Sequence, residues 1–254
     1  MKTPLPFKTE GRLSIVVPVF NEAPHLEANL RLLVSEVEPY VGNFEVIVVS
    51  DGSTDQTNEI LATRFANRFK VVVLERNQGK GAAVRRGFEL CTGEWILFID
   101  GGMELHPKEI RIFLGLRALY DADIVVGSKR HPQSQIAYPW YRRFLSGSYQ
   151  LIIRWIFDLD ITDTQVGIKL FSSDVIRSIK DKLSIDRYGF DLEMLVLAKR
   201  HGFTKMLEAP IRLDYFERSQ RQGLRELVHI VRVAFDVAVD TMRVYRRHCL
   251  GNKP

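Results

Sequence analysis

Short apolar runs alternate with amphipathic stretches through the first half of the chain, and this alternation limits the possible folds more than any other feature. The apolar runs are rich in β-branched residues, which is typical of strands buried on both faces of a parallel sheet. They span 13–20, 44–51, 69–75, 94–100 and 122–128, and the amphipathic stretches lie near 23–37, 55–68, 80–91 and 107–120. The pattern predicts an α/β fold, with a mainly parallel central sheet that is flanked by helices and joined by right-handed crossovers.

The pattern changes after about residue 130. An aromatic and arginine-rich stretch is followed by a helix near 189–201, a strand near 204–209 and a long helix at roughly 223–247. In the long helix, polar residues three or four positions apart form one narrow stripe on an otherwise apolar surface. The stripe consists of Arg225, His229, Arg232, Asp236, Asp240, Arg243 and Arg247. Because no repeat or linker interrupts the sequence, we predict one domain over residues 1–254 that ends in an amphipathic helix.

Composition excludes several classes of protein. A hydrophobic fraction of 46% with 26% charged residues is typical of globular proteins and excludes disordered, collagen-like and disulfide-rich chains. Cys91 and Cys249 are too far apart for a zinc knuckle or a disulfide framework, which predicts a reducing compartment. No apolar run approaches the roughly 20 residues that a spanning helix needs, and the first residues lack the apolar core of a signal peptide.

The net charge of +5 is unevenly distributed along the chain. The segment 138–157 carries three arginines and no acid, the tail 216–254 is also basic, and the remainder is slightly acidic. Both basic stretches are rich in apolar residues, whereas a nucleic-acid-binding protein typically has a broad basic face. We therefore expect no nucleic-acid partner.

Polar residues and glycines follow the ends of the first four strands, where ligands of such sheets bind. The segments are PVFNE (18–22), SDGSTD (50–55), NQGKG (77–81) and DGGME (100–104). A glycine-rich helix start that carries Lys80 suits a phosphate group. A carboxylate such as Asp100, directly after a buried strand, is typical of a ligand for Mg²⁺ or Mn²⁺ that bridges a diphosphate.

Each of these motifs also has a simpler explanation. The segment after the second strand is an ordinary turn with Ser53 or Thr54 as a helix N-cap, and short glycine-rich motifs occur by chance. NQGKG is neither a Walker A loop nor a dinucleotide fingerprint. Four neighbouring strand ends that all carry acidic, glycine or lysine residues nevertheless favour one ligand site over four unrelated turns.

The motifs resemble those of one family in their order and spacing. They are IVVPVFNE, VVSDGSTDQT, RNQGKGAAVRRG, FIDGG, DTQVGIKLF and YGFDLEML. Over about residues 12–215 the chain is similar to the family 2 inverting glycosyltransferases, in particular to dolichyl- and polyprenyl-phosphate β-glucosyltransferases and less closely to dolichyl-phosphate mannosyltransferases. The resemblance implies a GT-A fold, with a nucleotide-sugar-binding half over 12–130, an acceptor half over 131–215 and a C-terminal helix and tail over 216–254.

The resemblance also implies which strand-end residues bind the nucleotide-sugar, namely Pro18, Phe20, Glu22, Asp51, Lys80 and Asp100. The first three correspond to the wall of the family's nucleoside pocket, and Asp51 corresponds to the residue that hydrogen-bonds the base. Asp100 matches the first aspartate of the family's DxD metal motif.

The metal motif departs from the family pattern, because Gly102 stands where the second aspartate is usual. Glu104 lies where the mannosyltransferase relatives place a further metal-contacting side chain, so that Asp100 and Glu104 are the expected ligands of Mg²⁺ or Mn²⁺. Alternatively, Glu104 is only an acid near the start of the following helix. A weaker or differently ligated metal is the expected consequence.

The acceptor side follows from the same resemblance. Ser128-Lys129-Arg130 matches an element that the family places close to the acceptor phosphate, although a solvated basic loop would look the same. Lys169 belongs to a stretch between the sheet and the acceptor cleft, and we expect it to contact the acceptor phosphate. Asp191 and Glu193 resemble the acidic helix start beneath the sugar, or are simply first-turn acids of a helix.

The resemblance thus implies an enzyme that transfers a hexose, with glucose favoured, from a nucleotide-sugar to a polyprenyl or dolichyl phosphate with inversion. A UDP-sugar is favoured over a GDP-sugar as donor. The expected catalytic residues are Asp100, Arg130, Asp191 and Glu193. Two alternatives stay open: a family 2 enzyme with a soluble glycan or protein hydroxyl as acceptor, and a degenerate nucleotide-sugar-binding protein without turnover.

A lipid-phosphate acceptor gives the two basic, apolar stretches a function. Arginines among aromatic residues in 138–157 suit a helix that lies in a membrane interface, and the tail helix over 224–247 is a second candidate. Packing of either helix on the core, or in a homodimer, would produce the same pattern. We predict a peripheral protein at the cytoplasmic face of a membrane.

Overall fold

The computed structural model describes residues 11–136, 140–187, 189–213 and 224–250, and in 140–148 and 224–234 it describes only the backbone. The strands are β1 (Leu13–Val19), β2 (Phe44–Ser50), β3 (Lys70–Val73), β4 (Trp95–Ile99), β5 (Ile124–Ser128), β6 (Gln135–Ile136), β7 (Ile168–Ser172), β8 (Met206–Pro210) and β9 (Arg212–Leu213). All five strands predicted in the first half are present, and β8 is the strand predicted near 204–209.

Seven strands form the central sheet in the order β3-β2-β1-β4-β7-β5-β8, and β6 and β9 form a small second sheet. The pairs within β3-β2-β1-β4 and the pair β5–β8 are parallel. β7 runs antiparallel to β4 and to β5, between which it is inserted. The predicted α/β fold with a mainly parallel sheet is confirmed, and β7 is the element that the hydrophobic pattern missed.

The helices are α1 (Leu26–Val37), α2 (Thr57–Ile60), α3 (Lys80–Phe88), α4 (Ile110–Tyr120), α5 (Trp140–Phe157), α6 (Ser173–Ile179), α7 (Phe190–Arg200) and α8 (Leu224–Tyr245). A π-helical turn, Leu61–Phe65, extends α2, and another, Arg246–Leu250, extends α8. A 3₁₀ turn that begins with Pro107 precedes α4, as expected for a proline at a helix start.

The sheet separates two apolar layers, because successive side chains of a strand point to opposite faces. In β1, Ile15 and Val17 belong to a cluster with α1 and α4, whereas Val16 belongs to a cluster with α3, α6 and α7. Gly87 of α3 lies directly on Val16, since a Cβ at Gly87 would come within 2.3 Å of the Val16 side chain. Burial of both sheet faces explains why the strands are continuously apolar rather than alternating.

The C-terminal helix packs with one edge on the second layer. Val237, Asp240 and Val244 are buried, whereas Phe235 and Met242 are exposed. The polar stripe expected on this helix therefore does not face solvent throughout, because Asp240 lies inside and accepts a hydrogen bond from the Gly189 amide at 3.1 Å. Among the described residues, no helix is long and apolar enough to cross a membrane.

Candidate functional site

The register of the parallel strands brings the predicted site residues to one edge of the sheet. Val19 of β1 is paired with Ser50 of β2, so the segments that follow these two strands lie side by side. The neighbouring strand β4 ends beside β1, where the Gly101 amide donates to the Pro18 carbonyl at 3.2 Å. The expected meeting of strand ends is thus observed.

Lys80 and Asp100 form the central ion pair of this edge, with 2.6 Å between Nζ and a carboxylate oxygen. Lys80 is the first residue of α3, and its ammonium lies over the rings of Phe98 and Phe190 at 5.2 and 5.6 Å from their centroids. Burial lowers the pKa of Lys80, but the carboxylates of Asp100 and Asp191 outweigh burial, so the pKa is raised. A permanently charged ammonium consequently faces the strand ends.

Asp51 organises the loop that leads to Lys80. Its carboxylate is buried and accepts hydrogen bonds from the amides of Gln78 and Gly79, both at 2.8 Å. Gly79 has a φ of +111°, and a Cβ there would come within 2.3 Å of the Asp186 carbonyl oxygen, so only glycine fits this position. The hydrogen bond of Asp51 to a base stays a prediction, and the structure adds that both carboxylate oxygens already bind the loop.

The predicted nucleoside wall lies at the end of β1. Phe20 is one of the exposed large apolar side chains of the protein, with 44% of its surface accessible. Pro18 lies in β1 beneath it, and the Glu22 amide donates to the Thr57 hydroxyl at 2.9 Å. An exposed aromatic ring at a strand end can stack on a nucleobase.

The expected N-cap at Ser53 or Thr54 is wrong, because α2 begins only at Thr57. The Asp55 carboxylate accepts from the Thr57 amide at 3.0 Å and from the Ala23 amide at 3.1 Å, so it links the helix start to the segment after β1. Ser53 instead accepts a hydrogen bond from the Asn21 amide.

The metal site predicted at Asp100 and Glu104 has few protein ligands. Glu104 is exposed and its charge raises the pKa of Lys80, so both acids lie near the same ammonium. In the part of the chain that the structure describes, no three His, Cys, Asp or Glu side chains converge as a metal cluster. One or two carboxylates fit Mg²⁺ when substrate phosphates complete its shell, so the residues suit a metal that arrives with a diphosphate.

The acceptor element follows β5 and is held by a buried carboxylate. Asp163, which is 1% exposed, accepts from the Lys129 amide at 3.1 Å and lies 3.7 Å from the Lys129 ammonium. Glu208 in turn accepts from the amides of Thr162 and Asp163. The sequence did not indicate a function for Glu208, because its position beside β5 depends on the pairing of β5 with β8.

Arg130 lies beside Lys129 at the surface, where its amide donates to the Ser128 hydroxyl at 3.2 Å. Two cations therefore stand at the end of β5. Because β7 is antiparallel to both β4 and β5, these two strands are parallel, and the end of β5 lies at the same edge of the sheet as Asp100.

Lys169, which we expected to contact the acceptor phosphate, is buried and does not face an open cleft. It has no exposed surface, and its ammonium pairs with the Asp191 carboxylate and donates to the Val166 carbonyl. Burial lowers the pKa of Lys169, and the nearby charge of Lys80 adds to this effect. The pair lies beneath the strand ends, since Lys169 and Lys80 both contact the ring of Phe98.

Glu193 is also fully buried, and its carboxylate has four hydrogen-bond donors. The amides of Ser184 and Ile185 and the Ser184 hydroxyl donate to it, and His248 contributes a ring nitrogen at 2.9 Å. Burial raises the pKa of Glu193, but these hydrogen bonds outweigh it and the pKa is lowered. The carboxylate holds the segment 184–186 against the start of α3, where the Gly81 amide donates to the Asp186 carbonyl.

Residues 14–179 match the family model for glycosyl transferase family 2. The chain belongs to this family. It is therefore a glycosyltransferase, and the strand-end site described above is the candidate active site of a family 2 enzyme.

Curated relatives agree with this assignment. The chain is 30% identical to the glycosyltransferase AglD of Haloferax volcanii over 204 residues, which cover 78% of this chain and 32% of AglD. It is 32% identical to the dolichyl-phosphate beta-glucosyltransferase of Drosophila melanogaster, over 74% of this chain and 62% of that protein. The human enzyme of the same name is 30% identical over 81% of this chain and 68% of its own length. The match thus spans about a third of AglD and a little under two thirds of the Drosophila enzyme.

Solved structures of another enzyme have the same fold. Glucosyl-3-phosphoglycerate synthase from Mycobacterium tuberculosis, in complex with Mn²⁺, UDP and phosphoglyceric acid, matches with a TM-score of 0.66 over 92% of this chain and 78% of that chain. A complex of the same enzyme with Mn²⁺, UDP-glucose and phosphoglyceric acid matches with the same score over 80% of its chain. At 19% and 20% identity, these matches confirm the GT-A fold.

Proposed function

We propose that this family 2 enzyme transfers glucose from UDP-glucose to a polyprenyl or dolichyl phosphate and inverts the anomeric configuration. The observation that carries the proposal is the presence of two cationic centres at one edge of the sheet, Lys80 after β3 and Lys129-Arg130 after β5. One suits the diphosphate of a donor and the other suits the phosphate of an acceptor. The names of the curated relatives support dolichyl phosphate, and the UDP-glucose complexes support the donor.

The donor would bind across the ends of β1, β2 and β4. Phe20 offers an exposed ring to the base, and Asp51 keeps the β3–α3 loop in the shape that presents Lys80. The Lys80 ammonium would exchange part of its contact with Asp100 for the diphosphate oxygens. Because this cation is fixed before the reaction, it stabilises negative charge as it develops on the leaving group.

Asp100 and Glu104 are the residues that would hold Mg²⁺ or Mn²⁺ together with the donor diphosphate. When bound, such a metal supplies positive charge to the leaving diphosphate. Lys80 supplies charge of the same sign from the protein itself, which offsets the replacement of the second aspartate by Gly102.

The acceptor phosphate needs positioning more than deprotonation, because its oxygen is already an anion. That oxygen would attack the anomeric carbon on the face opposite the diphosphate, and the bond from the anomeric carbon to the diphosphate oxygen would break with its electron pair leaving on UDP. Lys129 and Arg130 would orient the attacking phosphate and offset its charge. Asp163 and Glu208 act behind them by holding the Lys129 amide in place.

An exposed apolar face of α5 lies close to this acceptor site. The Gln150 side chain of α5 accepts from the Thr164 amide, next to Asp163. On the same helix Leu151, Ile152 and Trp155 are exposed, Trp155 to 87%. We propose that this face of α5, together with the exposed apolar residues of α8, rests on a membrane that supplies the lipid acceptor, at its cytoplasmic face. The aromatic half of the predicted segment, 138–148, lies outside the described side chains.

A transfer assay tests the proposal. The full chain is incubated with radiolabelled UDP-glucose or GDP-mannose and with a polyprenyl phosphate, and label in the organic phase is counted. We expect label from UDP-glucose only, and an inverted β-linkage in the product. Transfer to a soluble glycan but not to the lipid would favour the hydroxyl-acceptor alternative. UDP binding without transfer to any acceptor would favour a protein without turnover.

A further inference from the structure

A cavity of about 400 Å³ lies beside the donor loop but has its own lining. Gln78 lines it from the β3–α3 loop and Arg187 from the segment that precedes α7. Arg243 and Arg247 line it from the last turn of α8 and from the π-helical turn that follows. Neither Lys80 nor Lys129 belongs to this lining.

The acids of the cavity already have partners. Asp186 pairs with Arg85 at 2.7 Å. Asp240 pairs with Arg243 at 2.9 Å and accepts from the Gly189 amide. Their negative charge is therefore largely neutralised by groups of the protein itself.

Two arginines of the cavity remain without such partners. Among the residues that the structure describes, neither the Arg187 nor the Arg247 guanidinium group has a hydrogen bond or an ion pair with a protein group. Both side chains are exposed and line one partly open cavity, and an anion between them would offset the repulsion of their like charges. Their planar N–H donors match the oxygens of a phosphate group.

We propose that this cavity is an anion site that binds a phosphate group, separate from the site of the donor diphosphate. Arg187 and Arg247 would be its ligands, and the Gln78 amide side chain would complete the lining. The phosphate belongs either to a free phosphate compound or to the headgroup of an anionic lipid. Met242 and Leu250, on either side of Arg247 in sequence, have exposed apolar side chains that would contact the acyl chains of such a lipid.

Occupation of this site would be coupled to the donor loop. The backbone of Gln78 is bound by Asp51, and the stem of Arg187 packs on Gly79, directly before Lys80. A ligand that fixes Gln78 and Arg187 would thereby restrict the loop that presents Lys80. Because coupling between two sites is reciprocal, phosphate and UDP would change each other's affinity by the same factor.

Calorimetric titration of inorganic phosphate into the full chain, first saturated with UDP, tests the site. We expect binding by the UDP-saturated wild type, and a dissociation constant raised about tenfold or more in Arg187→Gln and in Arg247→Gln, as for the loss of a charged hydrogen-bond partner. Arg246→Gln is the matched control, because Arg246 is the exposed neighbour of Arg247 and does not line the cavity. Melting curves verify that each variant folds, and Arg187→Lys and Arg247→Lys should recover part of the affinity.

Vesicles distinguish the two sources of phosphate. Retention on phosphatidylcholine vesicles that contain phosphatidic acid, lowered by Arg247→Gln but not by Arg246→Gln, would assign the site to a lipid headgroup. A calorimetric response without this difference in retention would assign it to a free phosphate compound. No phosphate binding in the presence of UDP, or equal weakening by Arg246→Gln, would overturn the proposal. No turnover is measured, so the result does not depend on the proposed sugar transfer.

Discussion

The surroundings of Lys80 indicate its function in the transfer reaction more clearly than those of any other residue described above. Lys80 combines a helix start, two aromatic faces and an ion pair with Asp100, and its pKa is raised. Lys169 also contacts the ring of Phe98, but it is fully buried, whereas Lys80 is partly exposed at the strand ends. A cation fixed in this way is expected to act in the transition state rather than only in donor binding.

We expect Lys80→Met to lower kcat/KM by about 10²- to 10³-fold, the usual effect of removing one fixed donor to a developing negative charge. Lys80→Arg should retain part of the activity because it keeps the charge. Lys205→Met is the control, since Lys205 forms a surface pair with Asp121 at 2.8 Å away from the strand ends. Steady-state kinetics with UDP-glucose measure the effect, and equal losses in the two Met variants would contradict it.

Asp191 and Glu193, the two carboxylates at the start of α7, have different partners, which indicate different functions. Asp191 neutralises the buried Lys169, whereas the Glu193 carboxylate accepts, among the described residues, from the segment 184–185 and from His248. We therefore expect Glu193→Gln to lower the free energy of unfolding by about 1–3 kcal/mol, because a buried donor loses its charged partner. kcat per folded molecule should stay within about tenfold of the wild type.

Denaturant unfolding and active-site-normalised kinetics measure these two effects. The control is Glu89→Gln, which removes only an exposed pair with Arg86 and should change stability by less than about 1 kcal/mol. A variant that unfolds like the wild type but has lost turnover would instead support the expected catalytic function of Glu193.

At this scale the sequence indicated which residues gather, but not which of them face solvent. Strand-end positions follow from the parallel pattern, so Asp51, Lys80 and Asp100 could be placed together without a structure. The burial of Lys169 could not be predicted in the same way. It depends on β7 being inserted between β4 and β5, which brings Asp191 from a different part of the chain.

At the scale of elements, the parallel half was predictable because its strands lie in apolar runs that are bounded by turn residues. β7 is as long as β4 and β5, but it contains Lys169 and follows a polar segment, so its sequence does not distinguish it from a loop. α2 is likewise a single turn followed by a π-helical turn, where the pattern predicted one helix over 55–68. In both places, pairing or packing with distant residues determines the local structure.

One buried carboxylate joins several elements at the amino end of the sheet, opposite the active site. Glu45 of β2 accepts from Ser14 of β1 at 2.6 Å and from the Thr92 amide at 2.9 Å, and it pairs with Lys70 of β3 at 2.7 Å. Burial raises the pKa of Glu45, but the bonds from Lys70, Ser14 and Thr92 outweigh it and lower the pKa from 4.5 to about 2.

This pKa makes stability depend on pH in a defined direction. Because the pKa is lower in the folded state, the stabilisation is fully present above pH 4.5 and is lost as the pH falls to about 2. The shift corresponds to about 3 kcal/mol. We expect Glu45→Gln to be less stable than the wild type by about 1–3 kcal/mol at pH 7, and this difference to shrink between pH 4.5 and 2.

Urea unfolding over this pH range measures the difference, with Glu38→Gln as the control. Within the described part of the chain, the Glu38 carboxylate forms a single exposed pair, with Arg68 at 3.8 Å. A difference between Glu45→Gln and the wild type that is independent of pH would show that Glu45 acts through its shape and not through its charge.

At the scale of the whole molecule, the two faces of the sheet have different surfaces. α4 covers one face, and α5 and α8 lie on the other, where Phe157 packs edge-to-face on Tyr245 and Tyr149 hydrogen-bonds Thr241. The exposed Leu151, Ile152 and Trp155 therefore share their side of the molecule with the exposed Phe235 and Met242 of α8. Clusters of exposed apolar side chains of this kind mark contact surfaces.

We expect Leu151→Ser combined with Trp155→Ser to lower partition onto lipid vesicles by at least about tenfold, since each buried side chain of this size contributes about 1.5–3 kcal/mol. Transfer to a long-chain polyprenyl phosphate in those vesicles should fall with it, whereas transfer to a short-chain, water-soluble phosphate should not.

The matched control uses the opposite face of the sheet. Leu119 and Tyr120 of α4 are 73% and 59% exposed, so Leu119→Ser with Tyr120→Ser removes a similar amount of apolar surface from the other side. Equal loss of partition in both double variants would show that general hydrophobicity, and not an oriented surface, holds the protein on lipid. If sedimentation instead showed that only the α5 variant converts a dimer into a monomer, that face would be a homodimer interface.

Because Gln150 connects α5 to Thr164 beside the acceptor element, an oriented membrane contact would bring the lipid phosphate to Lys129 and Arg130 without a spanning anchor in the described chain.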